Sequence, residues 1–290
     1  MPELTVFEKL LYSTVKITVQ QGQSTSTGTG FFYAVDFGGG QNVPLLVTNK
    51  HVLSQGGVAS IWCHERVGGA ELKSSGVVKQ VILNIPAGST IEHPDPNIDL
   101  CAVPFSDILN QAEAAGKPLL FIPLSLDIIP QGDKWSEFDA LEEVIMIGCP
   151  NGIYDTVNYN PIIRQGITAT PLAQKYLGKP EFMVDMACFP GSSGSPILLV
   201  NQTGYRDKAT GSFMMGSGRV FFLGILYAGP LITNQGNIVL GQAPQVVTNT
   251  MMHLGNAIRS SEMIEIENLV RKIIKSQSEA ASGLPDSPSL

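Results

Sequence analysis

The sequence predicts an all-β protein built as two six-stranded antiparallel β-barrels with a C-terminal α-helix. Short apolar runs bounded by Gly, Pro, Asn and Asp recur along most of the chain, which is the pattern of many short strands. Thirty glycines and nineteen prolines among 290 residues supply the turns between them. A sustained helical apolar repeat occurs only near the C-terminal end.

In the first half the strand-like runs are Tyr12–Gln20, Gly30–Val35, Val43–Thr48, Val58–Cys63, Val77–Leu83 and Leu100–Val103, with Asp107–Ala115 as a short helix. A Pro-rich stretch near residues 118–140 separates them from Val144–Gly148, Ile162–Thr170, Phe182–Met186, Pro196–Val200, Val220–Tyr227 and Ile238–Leu240. The equal strand counts assign residues 1–125 to one barrel and 126–255 to the other. Beyond Gly255, residues Met263, Ile266, Leu269, Val270, Ile273 and Ile274 share one helical face. Ser261 can cap that helix, with Glu262 and Glu265 at its positive end and Arg271, Lys272 and Lys275 at its negative end. The helix is expected over residues 256–276, docked on the second barrel. The small, polar tail 277–290 is expected to be disordered.

Composition narrows the function. A formal net charge of −7 gives no electrostatic reason for a nucleic-acid partner. No apolar run reaches the length of a bilayer span, so no membrane partner is expected. Glu3, Glu8 and Lys9 interrupt the N-terminal segment, which therefore lacks a secretory pattern and favours a cytoplasmic protein. Cys63, Cys101, Cys149 and Cys188 are widely spaced in apolar runs, as buried free thiols of a reducing compartment would be. Their spacing suits no metal site, and no cofactor is expected.

The most specific chemical signal is Phe189-Pro190-Gly191-Ser192-Ser193-Gly194-Ser195-Pro196. A serine attacking a carbonyl needs a sharp turn to present Oγ, backbone N–H donors for the oxyanion, and little bulk nearby. Glycines flanking Ser193 supply these, with the N–H groups of Gly191 and Ser193 as the expected oxyanion hole. The plain alternative is a Gly/Ser turn between strands. A strand-to-helix nucleophile elbow fits less well, because Ser195 replaces its final glycine and Pro196 opens a strand.

Serine at its ordinary pKa needs an adjacent base. Of His51, His64, His93 and His253, only His51 sits at the end of a strongly apolar strand, a rigid place from which to aim an imidazole. His64 reads as the solvated end of a strand, and His93 and His253 read as structural. Asp99 stands at the mouth of the apolar strand Leu100–Val103, where an unpaired carboxylate is costly. It can hold the imidazole tautomer, with Asp95 and Asp185 as weaker competitors. The chain order His51, Asp99, Ser193 is that of chymotrypsin-like enzymes.

With these residues the chain resembles the trypsin-like serine peptidases, in particular the HtrA/DegP-like branch. The resemblance rests on Gly28-Thr29-Gly30-Phe31-Phe32, Leu46-Val47-Thr48-Asn49-Lys50-His51-Val52, Ile98–Val103, Arg164–Ala169 and Gly191–Pro196, and spans roughly residues 10–250. It implies a serine endopeptidase acting through an acyl-enzyme, and a substrate peptide bound as an added β-strand along Tyr227–Gly229. It also implies a primary pocket walled by Ala187, Cys188, Tyr227, Ala228 and Gly229, hence a small or medium apolar residue before the cleaved bond. Ser192 replaces the aspartate that pairs with a freed N-terminus in trypsin, so that activation route is not expected. No PDZ domain is expected after Gly255. The alternatives are a latent protease opened by a partner, and a binding scaffold on the same fold.

Overall fold

The computed structural model describes residues 4–53, 56–67, 72–237 and 245–282. Its first element is a helix that the sequence reading, whose first strand starts at Tyr12, does not include. Thr5 Oγ1 accepts from the Glu8 N–H at 3.3 Å while the Glu8 carboxylate accepts from the Thr5 N–H at 2.7 Å. This reciprocal cap starts α1 (Val6–Ser13), and the T-x-x-E spacing was its signal.

The first half continues with β1 (Thr14–Gln21), β2 (Ser24–Gly38), β3 (Gln41–Thr48), α2 (Lys50–Leu53), β4 (Gly57–Arg66), β5 (Ser74–Ile85), β6 (Ile91–Glu92), β7 (Cys101–Pro104) and α3 (Ser106–Ala114). These strands form a seven-stranded antiparallel sheet ordered β5-β4-β1-β2-β3-β7-β6, not the expected closed six-stranded barrel. The two edges, β5 and β6, are consecutive in the chain and joined only by residues 86–90. Pro86 lacks an N–H, Gly88 turns at φ +77°, and Pro94 and Pro96 follow β6, so no continuous ladder can seal the seam.

The second half contains β8 (Glu143–Gly148), β9 (Ile162–Thr168), β10 (Glu181–Asp185), β11 (Pro196–Asn201), β12 (Gly204–Arg206), β13 (Phe213–Met215), β14 (Arg219–Ala228), β15 (Leu231–Asn237), β16 (Gln245–Met251) and β17 (Leu254–Arg259). Here the barrel closes, in the order β10-β17-β14-β11-β8-β9, while β12–β13 and β15–β16 stand as separate two-stranded pairs. The sixth barrel strand is β17, part of which lies in the segment expected to begin the helix. The strand expected at Ile238–Leu240 falls outside the described residues. Gly255 and Asn256 weaken the apolar alternation of β17, and Gly255 is needed because a Cβ there would meet Cys188 Sγ at 2.5 Å.

The final helix, α4 (Met263–Ser282), follows a short 3-10 turn at Ser260–Glu262 and runs beyond residue 276, so 277–282 are helical. It docks on both halves, not on the second barrel alone. Met263, Ile266 and Val270 join Phe31, Tyr33, Val47 and Leu100 of the first half and Phe222, Ile225 and Ile258 of the second in one buried cluster. Its Glu267 is a buried carboxylate that accepts from Tyr33 Oη at 2.6 Å and from Arg271 at 3.2 Å. Burial, followed by the hydrogen bond to Glu267, pushes the Tyr33 hydroxyl far above the usual phenol range, so it remains a donor.

Tyr33→Phe removes one donor from a buried carboxylate and is expected to cost about 1–3 kcal/mol. It should be read as a lower urea midpoint at unchanged m-value, and an unchanged midpoint would contradict the helix-docking account.

Candidate active site

His51 emerges where β3 ends and α2 begins. Thr48 Oγ1 donates to the Thr29 carbonyl at 2.7 Å, and Asn49 Nδ2 donates to the Asp99 carbonyl at 2.7 Å. Both side chains are fully buried, which fixes the turn from strand to helix. The His51 backbone N–H then donates to Asp99 Oδ1 at 3.0 Å, and its ring Nδ1 lies 2.5 Å from Asp99 Oδ2. A carboxylate held on both oxygens from one residue orients the ring and keeps the Nδ1 proton facing it. Nε2 is then left with its lone pair on the other side, on a ring whose side chain is 49% exposed.

Burial is the largest single influence on the Asp99 carboxyl and raises it. The hydrogen bonds and charge of His51, with the backbone N–H groups of His51 and Lys50, outweigh burial and hold it below the ordinary carboxylate range. Asp95 instead turns its Oδ1 to the backbone and side-chain N–H groups of Asn97, at 2.9 Å each. Asp185 is exposed on β10. His64 packs edge-on against Tyr12 and lies 3.2 Å from Ser74 Oγ, and His253 packs edge-on against Phe189. None of these is drawn to the His51–Asp99 pair.

Ser193 lies on the loop between β10 and β11. This loop is fastened to β2 of the other half at two points, and the residue after β8 is fastened to it at a third. Thr29 N–H donates to the Ser193 carbonyl at 2.8 Å, Thr29 Oγ1 donates to the Gly191 carbonyl at 2.8 Å, and that same Oγ1 accepts from Cys149 N–H at 3.0 Å. The approach is so close that Gly194, at φ +87°, has no room for a side chain: a Cβ would lie 2.0 Å from the Thr29 carbonyl. Thr29 was not singled out from the sequence as a site residue. Its position between Gly28 and Gly30 inside a strand was the available sign of close backbone approach.

The Pro190 carbonyl accepts from the Asn151 N–H at 2.5 Å. In a trans peptide the Gly191 N–H therefore points away from Asn151. Neither the Gly191 nor the Ser193 N–H is paired among the described residues, so both donors are available for an acceptor. The Ser193 hydroxyl itself lies 3.5 Å from the Tyr227 carbonyl, and no hydrogen bond joins it to His51 among the described residues.

A depression of about 90 Å³ adjoins Ser193, lined by Cys188, Phe189, Pro190, Leu226, Ala228 and Gly229. Three of the expected wall residues, Cys188, Ala228 and Gly229, are there; Ala187 and Tyr227 are not. The Ala187 carbonyl accepts from Arg164, whose guanidinium also lies over the Phe189 ring, 5.0 Å from its centre. The Tyr227 hydroxyl donates to Glu181 at 2.9 Å, turning that ring into the protein. Burial pushes the Cys188 thiol up to about 11, so it meets the depression as a neutral apolar group. All four cysteines are free and buried, and no cluster of potential metal ligands occurs among the described residues.

The histidine–aspartate pair thus lies on the seven-stranded sheet and the glycine-flanked serine on a loop of the closed barrel. The trypsin-like peptidase domain matches residues 28–205, more than half of the chain, and the protein belongs to that family. No curated protein matches it in sequence. Among solved structures it is similar to the serine endoprotease from Yersinia pestis, at 14% identity and a TM-score of 0.47, over 93% of this chain and 68% of that one. A thermostable serine protease from an extremophilic microorganism matches at 13% identity and 0.46, over 90% and 97%. An HtrA-type protease bound to a tripeptide matches at 16% and 0.43, over 88% and 58%.

Gly194→Ala should destabilise the fold by about 3 kcal/mol or more, because both the φ and the Thr29 contact forbid it. A urea midpoint equivalent to under about 1 kcal/mol of loss would show that the loop is not clamped as described. Asp99 supplies stability above the ordinary carboxylate range that is lost as pH falls through its depressed folded-state pKa. Wild type should therefore lose more stability than Asp99→Asn on acidification below about pH 4. Parallel stability–pH curves for the two proteins would count against the His51–Asp99 pairing.

Proposed function

We propose that the protein is a serine endopeptidase in which Ser193 is the nucleophile, His51 the general base and Asp99 the residue that orients the base. The observation that carries this reading is the 2.5 Å contact between His51 Nδ1 and Asp99 Oδ2, which leaves Nε2 free to accept a proton. On this reading the Ser193 hydroxyl leaves the Tyr227 carbonyl for another staggered position and donates to that nitrogen. Attack on a peptide carbonyl passes the Oγ proton to His51 and places the negative oxygen against the Gly191 and Ser193 N–H groups. His51 then protonates the leaving amine, and water repeats the sequence on the acyl-enzyme.

The depression beside Ser193 supports a small apolar residue before the cleaved bond, because no charged group lines it and its volume is modest. The backbone supports an added substrate strand. The ladder of β14 with β11 ends at Ile225 paired with Pro196, whereas β14 continues to Ala228, so its edge beyond Leu226 is open on that side. Four free thiols favour a reducing, cytoplasmic setting.

A second reading, a latent enzyme completed by a partner, draws on the Ser193 hydroxyl facing Tyr227 rather than His51. Both are tested by a fluorophosphonate probe and a peptide library applied to the purified chain. The endopeptidase reading expects labelling of wild type but not of Ser193→Ala, whose kcat falls by about 10⁴-fold or more. Labelling that appears only after a cell fraction is added favours the latent form. Equal labelling of both proteins removes Ser193 as the nucleophile.

A further inference from the structure

His93 is buried, with its side chain only 3% exposed; its backbone groups and Nδ1 are hydrogen-bonded, and its Nε2 lies beside a carboxylate. Its N–H donates to the Leu100 carbonyl at 2.9 Å, and its carbonyl accepts from Lys50 Nζ at 3.0 Å. Ring Nδ1 accepts from the Asp95 N–H at 3.2 Å. A nitrogen that accepts from an amide carries the lone pair, so the neutral ring holds its proton on Nε2. Nε2 lies 3.4 Å from Glu262 Oε2, longer than a well-formed hydrogen bond, and makes no hydrogen bond among the described residues.

Glu262 closes the 3-10 turn Ser260–Glu262 that leads into α4, whereas His93 opens the loop that ends at Asp99. This contact therefore joins the head of the C-terminal helix to the loop carrying the triad carboxylate. The loop is short and stiff. Asp95 Oδ1 holds Asn97, Ile98 N–H donates to the Asp95 carbonyl at 3.1 Å, and Lys50 Nζ also donates to the Asp95 carbonyl, at 3.1 Å. Lys50 and Asn49 immediately precede His51, so one set of bonds positions Asp95, Asp99 and the base together. A displaced His93 ring must release the Asp95 amide, and with it the inner support of this loop.

We propose that His93 is a positioning residue for catalysis: held by Glu262 at the head of the last helix, it fixes the Asp95–Asp99 loop and sets the Asp99 carboxylate against His51. This rests on the endopeptidase reading for its catalytic consequence, while the effect on the His51–Asp99 contact is independent of it. Packing alone would fill the same space but would not require a lone pair toward Asp95 and a proton toward Glu262. The two functions of the ring can be separated. Asparagine at position 93 can accept from the N–H two residues on, as Asx turns do, but is too short to reach Glu262. Glu262→Gln keeps the shape and an acceptor while removing the charge.

The test compares wild type, His93→Asn, Glu262→Gln and the double variant by kcat and KM on one peptide, by urea midpoint, and by the proton NMR signal of His51 Nδ1–H. That signal is assigned by its loss in His51→Ala. Each single variant is expected to lower kcat by about 10- to 100-fold with KM little changed, since small misplacements of a catalytic group cost this much. The Nδ1–H signal should shift or broaden, and the double variant should be no worse than the weaker single one. An unchanged Nδ1–H signal with unchanged kcat overturns the proposal, as do losses that multiply in the double variant or follow the urea midpoint alone. If wild type cleaves nothing yet the signal responds in both variants, the positioning role stands and the endopeptidase reading falls. If wild type cleaves nothing and the signal is unmoved, both fall.

Discussion

The structure depends on one close approach between its two halves, where Thr29 of β2 meets the Ser193 loop. Its backbone N–H holds the Ser193 carbonyl and its hydroxyl spans the Gly191 carbonyl and the Cys149 amide. A serine on one β-unit can work with a histidine on another only if their backbones are held in register across the boundary. Three hydrogen bonds through one threonine accomplish this, because Gly28, Gly30 and Gly194 leave no side chains in the way. A Cβ at Gly28 would meet Val52, the residue after His51, at 2.7 Å, so the same strand also supports the turn that carries His51.

Around this contact the parts divide their work. Buried Thr48 and Asn49 convert the end of an apolar strand into a fixed turn, and Asp99 closes on both the amide and the ring of His51. The helix α4 ties the halves from behind, through an apolar stripe and the buried Glu267 that holds Tyr33. Burying a carboxylate is costly without donors, so Tyr33 and Arg271 make the docking specific as well as apolar. The unpaired Gly191 and Ser193 amides and the uncharged depression beside Ser193 are the features on which the proposed binding of a peptide carbonyl and a small apolar side chain rests.

Much of this was legible in the sequence because it is local. The long strands β1 to β5 and β8 to β11, with β7 and β14, follow from their apolar runs. The octapeptide around Ser193, the strand end at His51 and the strand mouth at Asp99 announce themselves through glycines, burial and a lone carboxylate. What could not be read is long-range or depends on weak patterns. The open seam of the first sheet arises from Pro86, Gly88, Pro94 and Pro96 acting on β5, which was counted as an ordinary barrel strand, and on β6, which was too short to be read as a strand at all. Strand β17 was hidden because Gly255 and Asn256 interrupt its apolar alternation, although Gly255 is there to make room for Cys188. Tyr227 was expected in the pocket wall, yet its hydroxyl finds Glu181, a residue 46 positions away, and turns the ring aside. His93 read as structural for the same reason: its partner, Glu262, belongs to another element and the opposite half of the chain.

The most direct test of the account is a crystal structure of the protein after reaction with a peptidyl phosphonate. The account predicts a covalent bond to Ser193 Oγ, with a phosphonyl oxygen about 2.7–3.1 Å from the Gly191 and Ser193 nitrogens and His51 Nε2 within hydrogen-bond reach of the adduct. An adduct on another residue, or one at Ser193 with the His51 ring out of hydrogen-bond reach, would contradict it.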